Sequence, residues 1–458
     1  MIEGLRPYEA KREAAMPWLD SIPCEWTERR IKYLFREIDE RSGNGQGQLL
    51  SLTRARGLIP HADATHKIAS AGDLSKYKVC RSGDLVMNRM QAWSGMFATS
   101  TYTGLVSPDY AVFRAKAGVV TAFFDRLFKT PMLVGEFARR SKGIGSGFNR
   151  LYTPDFGDIR VPLPPLNGQL DIIRFLDHVE GRLLRHLQQK RKLLALLNEQ
   201  KQTIIHCAVT RGLDDGVRLK SSGVAWLGDI PEHWTVTRVK NEFRCLNNDR
   251  VPLSSTQRAA MMARTFDYYG ASGVIDKVEK FLFDDDLLLI AEDGANLVLR
   301  NLPLAIIARG KCWVNNHAHI LKPKNGNLDY LAALMETINY RPWISGAAQP
   351  KLTKDRLMGI KIALPARSEQ DAIMAESGRL TEPIQRAMKQ LRCEIEKLDE
   401  FRTTFIAAVV TGKLDVRDAA KNLRGEPDGE IGPNRIDVSD DRGLDFAEDE
   451  EPSELEYD

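Results

Sequence analysis

Trp18–Arg36 reads WLDSIPCEWTERRIKYLFR, and the stretch returns as Trp226–Arg244, WLGDIPEHWTVTRVKNEFR. At this offset of 208, ten of the nineteen positions are identical: Trp18/Trp226, Leu19/Leu227, Ile22/Ile230, Pro23/Pro231, Trp26/Trp234, Thr27/Thr235, Arg30/Arg238, Lys32/Lys240, Phe35/Phe243 and Arg36/Arg244. A second echo runs at an offset of 201 and pairs, among others, Leu151/Leu352, Ile159/Ile360, Pro164/Pro365, Gln169/Gln370, Leu197/Leu398, Thr210/Thr411 and Asp214/Asp415. The register change falls between Arg36 and Leu151, where the halves do not align. Repetition at long period sets architecture before any local signal does. Each half is therefore a repeated frame around a divergent insert.

Within each frame a short strand and a breaker run, IRVPLPPLNGQ or IKIALPARSEQ, lead into a long periodic segment with Asn167 or Ser368 as N-cap. Leu176, Val179, Leu183, Leu187, Leu194, Leu197 and Ile204 recur at spacings of three, four or seven, as do Ile373, Leu380, Ile384, Met388, Leu391, Ile395, Leu398 and Phe405. That is the apolar stripe of a coiled-coil helix. Each helix should run about 40 residues, or roughly 60 Å, ending near Gly212 or Gly412, and each is the other's natural partner. The inserts read differently. Lys78–Asn88, Tyr110–Ala115, Asp286–Asp293 and Leu304–Gly310 are short β-like runs, interrupted by helical stretches at Thr121–Thr130 and Leu328–Tyr340. The expected fold class is α/β: two mixed α/β domains separated by an antiparallel coiled coil, with pseudo-twofold duplication. The divisions are a leader (1–17), a first domain (18–165), a first long helix (166–212), a second domain (213–366), a second long helix (367–412) and an acidic, disordered tail (413–458).

Length and composition agree with several packed units: 458 residues, 43% hydrophobic. The six cysteines form no CxxC pair, which argues against a zinc site or a disulfide framework and for reduced thiols. Neither a signal-peptide core nor an apolar run of membrane-spanning length is present, so a soluble, cytoplasmic protein is expected. The net charge of +3 conceals an asymmetry. Glu426–Asp458 holds 14 acidic residues against Arg435 and Arg442, a net −12, which leaves the body at +15. A body that basic suits a polyanion such as DNA, although Lys and Arg also serve simply as solvated surface.

The duplicated pattern resembles the specificity subunits of type I restriction-modification systems. The resemblance runs from about Trp18 to Asp415 and is carried by the IPxxW elements Ile22–Trp26 and Ile230–Trp234, the SGDLVMNRM stretch, the Trp313–Leu321 stretch WVNNHAHIL, and the LPPLNGQ-type helix entrance. One departure is Arg367–Gln370, which replaces the Pro-rich entrance of the first half. The resemblance implies two target-recognition domains, each reading one half-site of double-stranded DNA, with the paired helices as a spacer. It also implies two methyltransferase (M) subunits docked on the helical frame and restriction/translocase (R) subunits beyond them. S-adenosylmethionine, ATP and Mg would belong to those partners, with no cofactor or metal on this chain.

Candidate DNA contacts follow from residue type. Asn88, Arg89, Gln91 and Trp93 lie in a loop after a β run and include the usual base-edge readers; a solvated loop with Trp93 packed inward is the alternative. Arg54 and Arg56 suit phosphate or guanine. The glycine-rich run Ser141–Arg150 lets backbone approach DNA, with Lys142, Asn149 and Arg150 as contacts. In the second insert Arg264, Tyr268 and Tyr269 mix charge with aromatics, though buried tyrosines are an equal reading. Asp293, Asn296 and Arg300 follow a strand. Asn315, Asn316 and His317 cluster after Trp313, where an Asn/His turn bonding backbone competes with DNA contact. His317 and His319 form an HxH pair that lacks further metal ligands nearby.

An enzyme reading finds no support in motifs. NPP- or DPP-type amino-methyltransferase motifs and a Walker GxxxxGK[ST] are absent, and Glu394–Lys397 (EIEK) falls in the coiled-coil stripe. A non-catalytic subunit is expected. The alternative is a stand-alone sequence-specific DNA-binding protein without restriction partners.

Overall fold

Two long helices, Leu166–Arg211 and Arg367–Val410, organise the computed structural model, which describes residues 5–64, 74–143, 149–214, 216–346 and 349–423. Both helices start one residue before the expected caps, so Asn167 and Ser368 lie in the first turn. The carbonyls of Pro165 and Ala366 accept the first bonds, from the N–H of Gln169 and Gln370 at 3.0 Å each. The described residues form two compact units, 5–191 with 393–423 and 192–392.

In the first unit Thr27–Arg30 pairs antiparallel with Arg160–Leu163, so the insert departs and returns at one place and feeds straight into the long helix. The insert is built on a four-stranded antiparallel sheet in the order Phe35–Ile38, Tyr110–Ala115, Leu85–Asn88, Phe97–Thr99. Side chains alternate across it. Phe113 and Phe97 face an aromatic core with Phe124, Phe128, Phe137 and Phe156, supplied by the helices Thr121–Phe128 and Pro131–Arg140 and the short helix Thr153–Gly157. Val112, Val86 and Ala98 face a second cluster with Leu50, Leu52, Leu58 and Cys80.

The helix segments of this unit pair antiparallel, since partners rise on one helix as they fall on the other. The rings of Phe175 and Phe405 lie 6.1 Å apart, Glu180 pairs with Arg402 at 2.8 Å, and Lys190 pairs with Glu394 at 2.6 Å. The second helix ends at Gly412 in the left-handed region (φ +73°), where a Cβ would stand 2.7 Å from Pro23 Cγ and 3.2 Å from Trp26. Only glycine fits both demands.

Residues 413–423, expected to open the tail, belong instead to the packed body. Val416 and Ala420 are fully buried, the short helix Arg417–Asn422 follows, and the Asp415 N–H donates to Arg6 O at 2.8 Å. Burial of two apolar side chains explains the correction, since the charged residues around them mask the signal in sequence. The rest of the expected tail lies outside the described residues.

The second unit repeats the plan. Thr235–Arg238 pairs with Lys361–Leu364, and the sheet order is Phe243–Cys245, Ala318–Pro323, Leu287–Ala291, Ala305–Ala308. It adds a second four-stranded sheet, Gly273–Val278, Phe266–Gly270, Lys311–Val314, Phe283–Asp284, whose central pair is parallel.

The repeated glutamines do the same task in both units. Buried Gln169 accepts from Val120 N–H (2.8 Å) and donates to Gly118 O and Pro164 O, fastening the start of helix Thr121–Phe128 to the long helix. Gln370 accepts from Asn327 N–H (2.9 Å) at the cap of helix Leu328–Thr337 and donates to Pro365 O. The apolar stripe fails at one place. Leu380 is 43% exposed, and Ser377 and Thr381 are buried in its stead, the Thr381 hydroxyl donating to Ser377 O at 2.7 Å.

Candidate nucleic-acid interface

The hairpin Leu50–Thr53/Gly57–Pro60 carries Arg54 and Arg56 on its turn, both exposed. Arg54 donates to Ser94 Oγ at 3.0 Å and to its carbonyl at 3.3 Å; Arg56 donates to Asp63 O at 2.8 Å. Neither guanidinium pairs with a carboxylate among the described residues. Arg54 thereby joins the hairpin to the loop after strand Leu85–Asn88. In that loop Asn88 shapes the turn: its Oδ1 accepts from Met90 N–H and its Nδ2 donates to Gln91 Oε1, both at 3.1 Å. Gln91 is exposed, and Trp93 is 40% exposed with its indole N–H on Met90 O. Trp93 therefore does not pack inward. Arg89 does turn inward, onto Glu37 at 2.6 Å.

The short pair Lys142–Gly143/Asn149–Arg150 lies beside the 3-10 turn Ala92–Ser94. Residues 144–148 of the glycine-rich run lie outside the described residues. Lys142 pairs with Asp155 at 3.0 Å, Arg150 with Asp109 at 3.7 Å, and both cations flank the ring of Tyr152 at 6.0 and 5.6 Å from its centre. Arg150 Nε is buried with no hydrogen-bond partner. Arg54, Gln91, Trp93, Asn149, Arg150 and Lys142 thus share one basic and aromatic face. Tyr152, 38% exposed, belongs to it and escaped the reading of the sequence, although an aromatic two residues from Arg150 was a usable signal.

In the second unit the predicted residues scatter. Tyr268 is 1% exposed, its hydroxyl between Leu253 N and O and its ring 4.9 Å beneath the Arg258 guanidinium. The buried-tyrosine reading is the correct one, because residue 268 lies on the inner side of a strand. Asn296 spends both amide atoms on Leu302, and Arg300, in the left-handed region at φ 53°, donates to Glu336 and to Ile338 O at the end of helix Leu328–Thr337. Asn315 is buried and accepts from His317 N–H at 2.8 Å. These side chains are engaged in holding their own loops; Tyr268 and Asn315 are buried, Asn296 is half-buried, and Arg300, though exposed, is taken up by Glu336 and the end of a helix.

Arg264, Asn316 and His317 are exposed. Arg264 pairs with Asp276 at 3.3 Å, and His317 Nδ1 lies 2.9 Å from Asp293. The backbone N–H of Lys277 and the guanidinium of Arg258 hold the Asp276 carboxyl below the usual carboxylate range.

A buried network supports the His317 loop. Arg250 binds Glu292 at 2.6 Å and the carbonyls of Asn316 and Ala318. Burial raises the Glu292 pKa, but Arg250 and its neighbours outweigh it and keep the carboxylate ionised. His319, fully buried, donates from Nε2 to Leu352 O at 2.7 Å and accepts at Nδ1 from Asn247 Nδ2. Burial holds its imidazole below the ordinary value of 6.5. With both nitrogens engaged, His319 does not join His317 in a metal pair. Among the described residues no group of three or more His, Cys, Asp or Glu lies together to hold a metal ion, and no helix is long and apolar enough to cross a membrane.

Electrostatics separates the inserts. Residues 51–150 hold 15 Lys and Arg against 6 Asp and Glu, whereas residues 251–350 hold 10 of each.

Comparison with known proteins bears on the fold and the family. The family described as type I restriction modification DNA specificity domain matches residues 231–397. A putative type I restriction enzyme specificity subunit of Haemophilus influenzae is 35% identical over 138 residues, 30% of this chain and 34% of that one. The MjaVIII specificity subunit of Methanocaldococcus jannaschii is 24% identical across 76% of this chain and 84% of its own. A chain from a solved type I restriction-modification system shares the fold at a TM-score of 0.57 and 15% identity, covering 86% of this chain and 99% of that one. On the family match over residues 231–397 and the duplicated frame, the second half of the chain carries a type I restriction modification DNA specificity domain, and the chain as a whole is similar to the specificity subunits of type I restriction-modification systems.

Proposed function

We propose that the chain reads DNA in two halves, each unit recognising one half of a bipartite, asymmetric target. The observation that carries this reading is that one sheet order occurs twice while the loops it presents differ in every candidate contact. A repeated scaffold with unlike loops suits two unlike half-sites in one duplex. On the first unit Arg54, Lys142 and Arg150 bind phosphate and set register, while Gln91, Trp93 and Asn149 reach base edges; phosphate contacts position and base contacts specify. On the second unit Asn316 and His317 are the exposed polar contacts of a less charged surface, and Arg264, already held by Asp276, adds only a weak phosphate contact.

The long helices supply the spacer and dock two methyltransferase subunits, which methylate adenine with S-adenosylmethionine. Restriction/translocase subunits join to cleave with ATP and Mg. The chain itself is a non-catalytic reader that works in the cytoplasm.

The test is to map adenine methylation by single-molecule sequencing in cells expressing this chain with its neighbouring methyltransferase, against a deletion of this chain alone. A bipartite, asymmetric motif that vanishes with the deletion is expected. Methylation that is unchanged overturns the reading. Duplex binding by the purified chain with no methylation in either strain favours a stand-alone DNA binder.

A further inference from the structure

We propose that the acidic C-terminal segment, residues 424–458, occupies the basic and aromatic face of the first unit and competes there with DNA. The proposal rests on the DNA-reading function above.

Three observations meet in it. The first is where the segment is tethered. Val416 and Ala420 are fully buried in the core of the first unit. Arg417 binds Asp415, pairs with Glu25 at 3.0 Å, and lies 5.0 Å over the Tyr8 ring. The chain beyond Leu423 is therefore delivered to the first unit.

The second is charge. Glu426–Asp458 carries a net −12. The first insert, with 15 cationic against 6 anionic residues at 51–150, is its complement; the second, balanced over 251–350, is not.

The third is the state of the cations on that face. Arg54 and Arg56 have no carboxylate partner among the described residues, and Arg150 reaches Asp109 only at 3.7 Å with its Nε unsatisfied. A carboxylate satisfies such groups as a phosphate does.

Reach does not limit the contact. Thirty-five residues extend at most about 120 Å, against about 45 Å for the width of a unit this size. Tethering gives the segment an effective concentration near the millimolar range, so many weak ion pairs suffice. Because the segment displaces phosphate contacts, it weakens specific and random duplexes by the same factor. Occupancy of random DNA falls while the ratio between sites stays unchanged.

The experiment measures binding of a fluorescent random 30-base-pair duplex and a target duplex by the full chain and by a chain ending at Leu423. Removing residues 424–458 is expected to tighten both about tenfold at low salt and to change neither once salt screens the ion pairs. Arg54→Ala with Lys142→Ala should erase most of this gain, whereas Arg264→Ala should leave it intact. A labelled peptide of residues 424–458 should bind the shortened chain in a salt-sensitive way and lose affinity with the double substitution.

Equal affinity of the two chains for DNA overturns the proposal and leaves the DNA-reading function standing. A gain that survives the double substitution, or a peptide that binds the double variant equally, overturns the assigned face and points to the second unit or a protein partner. Failure of both chains to bind any duplex overturns the function and the proposal together.

Discussion

The two units of this protein solve one folding problem and carry two different surfaces. Both close a strand pair at the mouth of the insert, both order the main sheet alike, and both fasten the insert to a long helix through a buried glutamine. The first unit then presents Arg54, with no carboxylate partner among the described residues, next to the Trp93 turn, and Lys142 and the loosely paired Arg150 beside Tyr152. The second spends Arg258, Arg264 and Arg300 on its own carboxylates and carbonyls and adds a second sheet. Even the frame is not perfectly matched: the Trp18 indole donates to Arg160 O at 3.1 Å, while the buried Trp226 indole N–H has no partner. Packing constrains the scaffold, so it repeats. The loops carry no such packing demand, so they diverge.

The largest expected difference lies at the helix ends. Gly412→Ala combines left-handed strain with overlap against Pro23 and Trp26 and should destabilise the first unit by about 3 kcal/mol. Gly212→Ala, at φ +83° with its nearest neighbour 3.7 Å away, should cost about 1 kcal/mol. Denaturant unfolding of both variants decides it, and equal losses break the comparison.

Next come the glutamines. Gln169→Ala removes three hydrogen bonds to backbone groups, one of them fully buried, and Gln370→Ala two, so losses of about 2 to 3 and about 1 to 2 kcal/mol are expected at roughly 1 kcal/mol per bond. A larger loss at Gln370 would show that the frames carry load differently.

DNA binding should separate the units by a smaller factor. Arg54→Ala is expected to weaken duplex binding about fivefold and to lower the salt slope by about one, because no carboxylate competes for it. Arg264→Ala should change affinity less than about twofold, since Asp276 already neutralises it. Fluorescence anisotropy across a salt series sharpens or breaks the contrast.

The smallest effect is one of pH and belongs to the second unit. Because the folded pKa of His319 is depressed, the unfolded chain takes up the proton first. The stability it supports is present above pH 6.5 and lost as pH falls through the folded value. His319→Gln should flatten that part of the pH dependence of unfolding; an unchanged slope removes His319 as its source.

What could be read in the chain, and what could not, follows the same division. Trp26/Trp234 and Gln169/Gln370 betrayed the duplication because each occupies a buried place where no other side chain packs or bonds as well. The helices were legible from their apolar spacing, with Leu380 the exception that Ser377 and Thr381 displaced. The kinship of the inserts was not legible, since a sheet is held by backbone hydrogen bonds that any sequence of suitable alternation can make.

Sites were read less well than elements. Residue type alone could not tell Tyr268 beneath Arg258 from a surface tyrosine, or Arg89 on Glu37 from a free base reader. By itself the sequence determined the repeat, the paired helices and the charge of each segment, because identity, periodicity and charge are properties of the chain. Only the tertiary structure decided which cations stay available and which are consumed. That depends on carboxylates and carbonyls brought near from dozens of residues away.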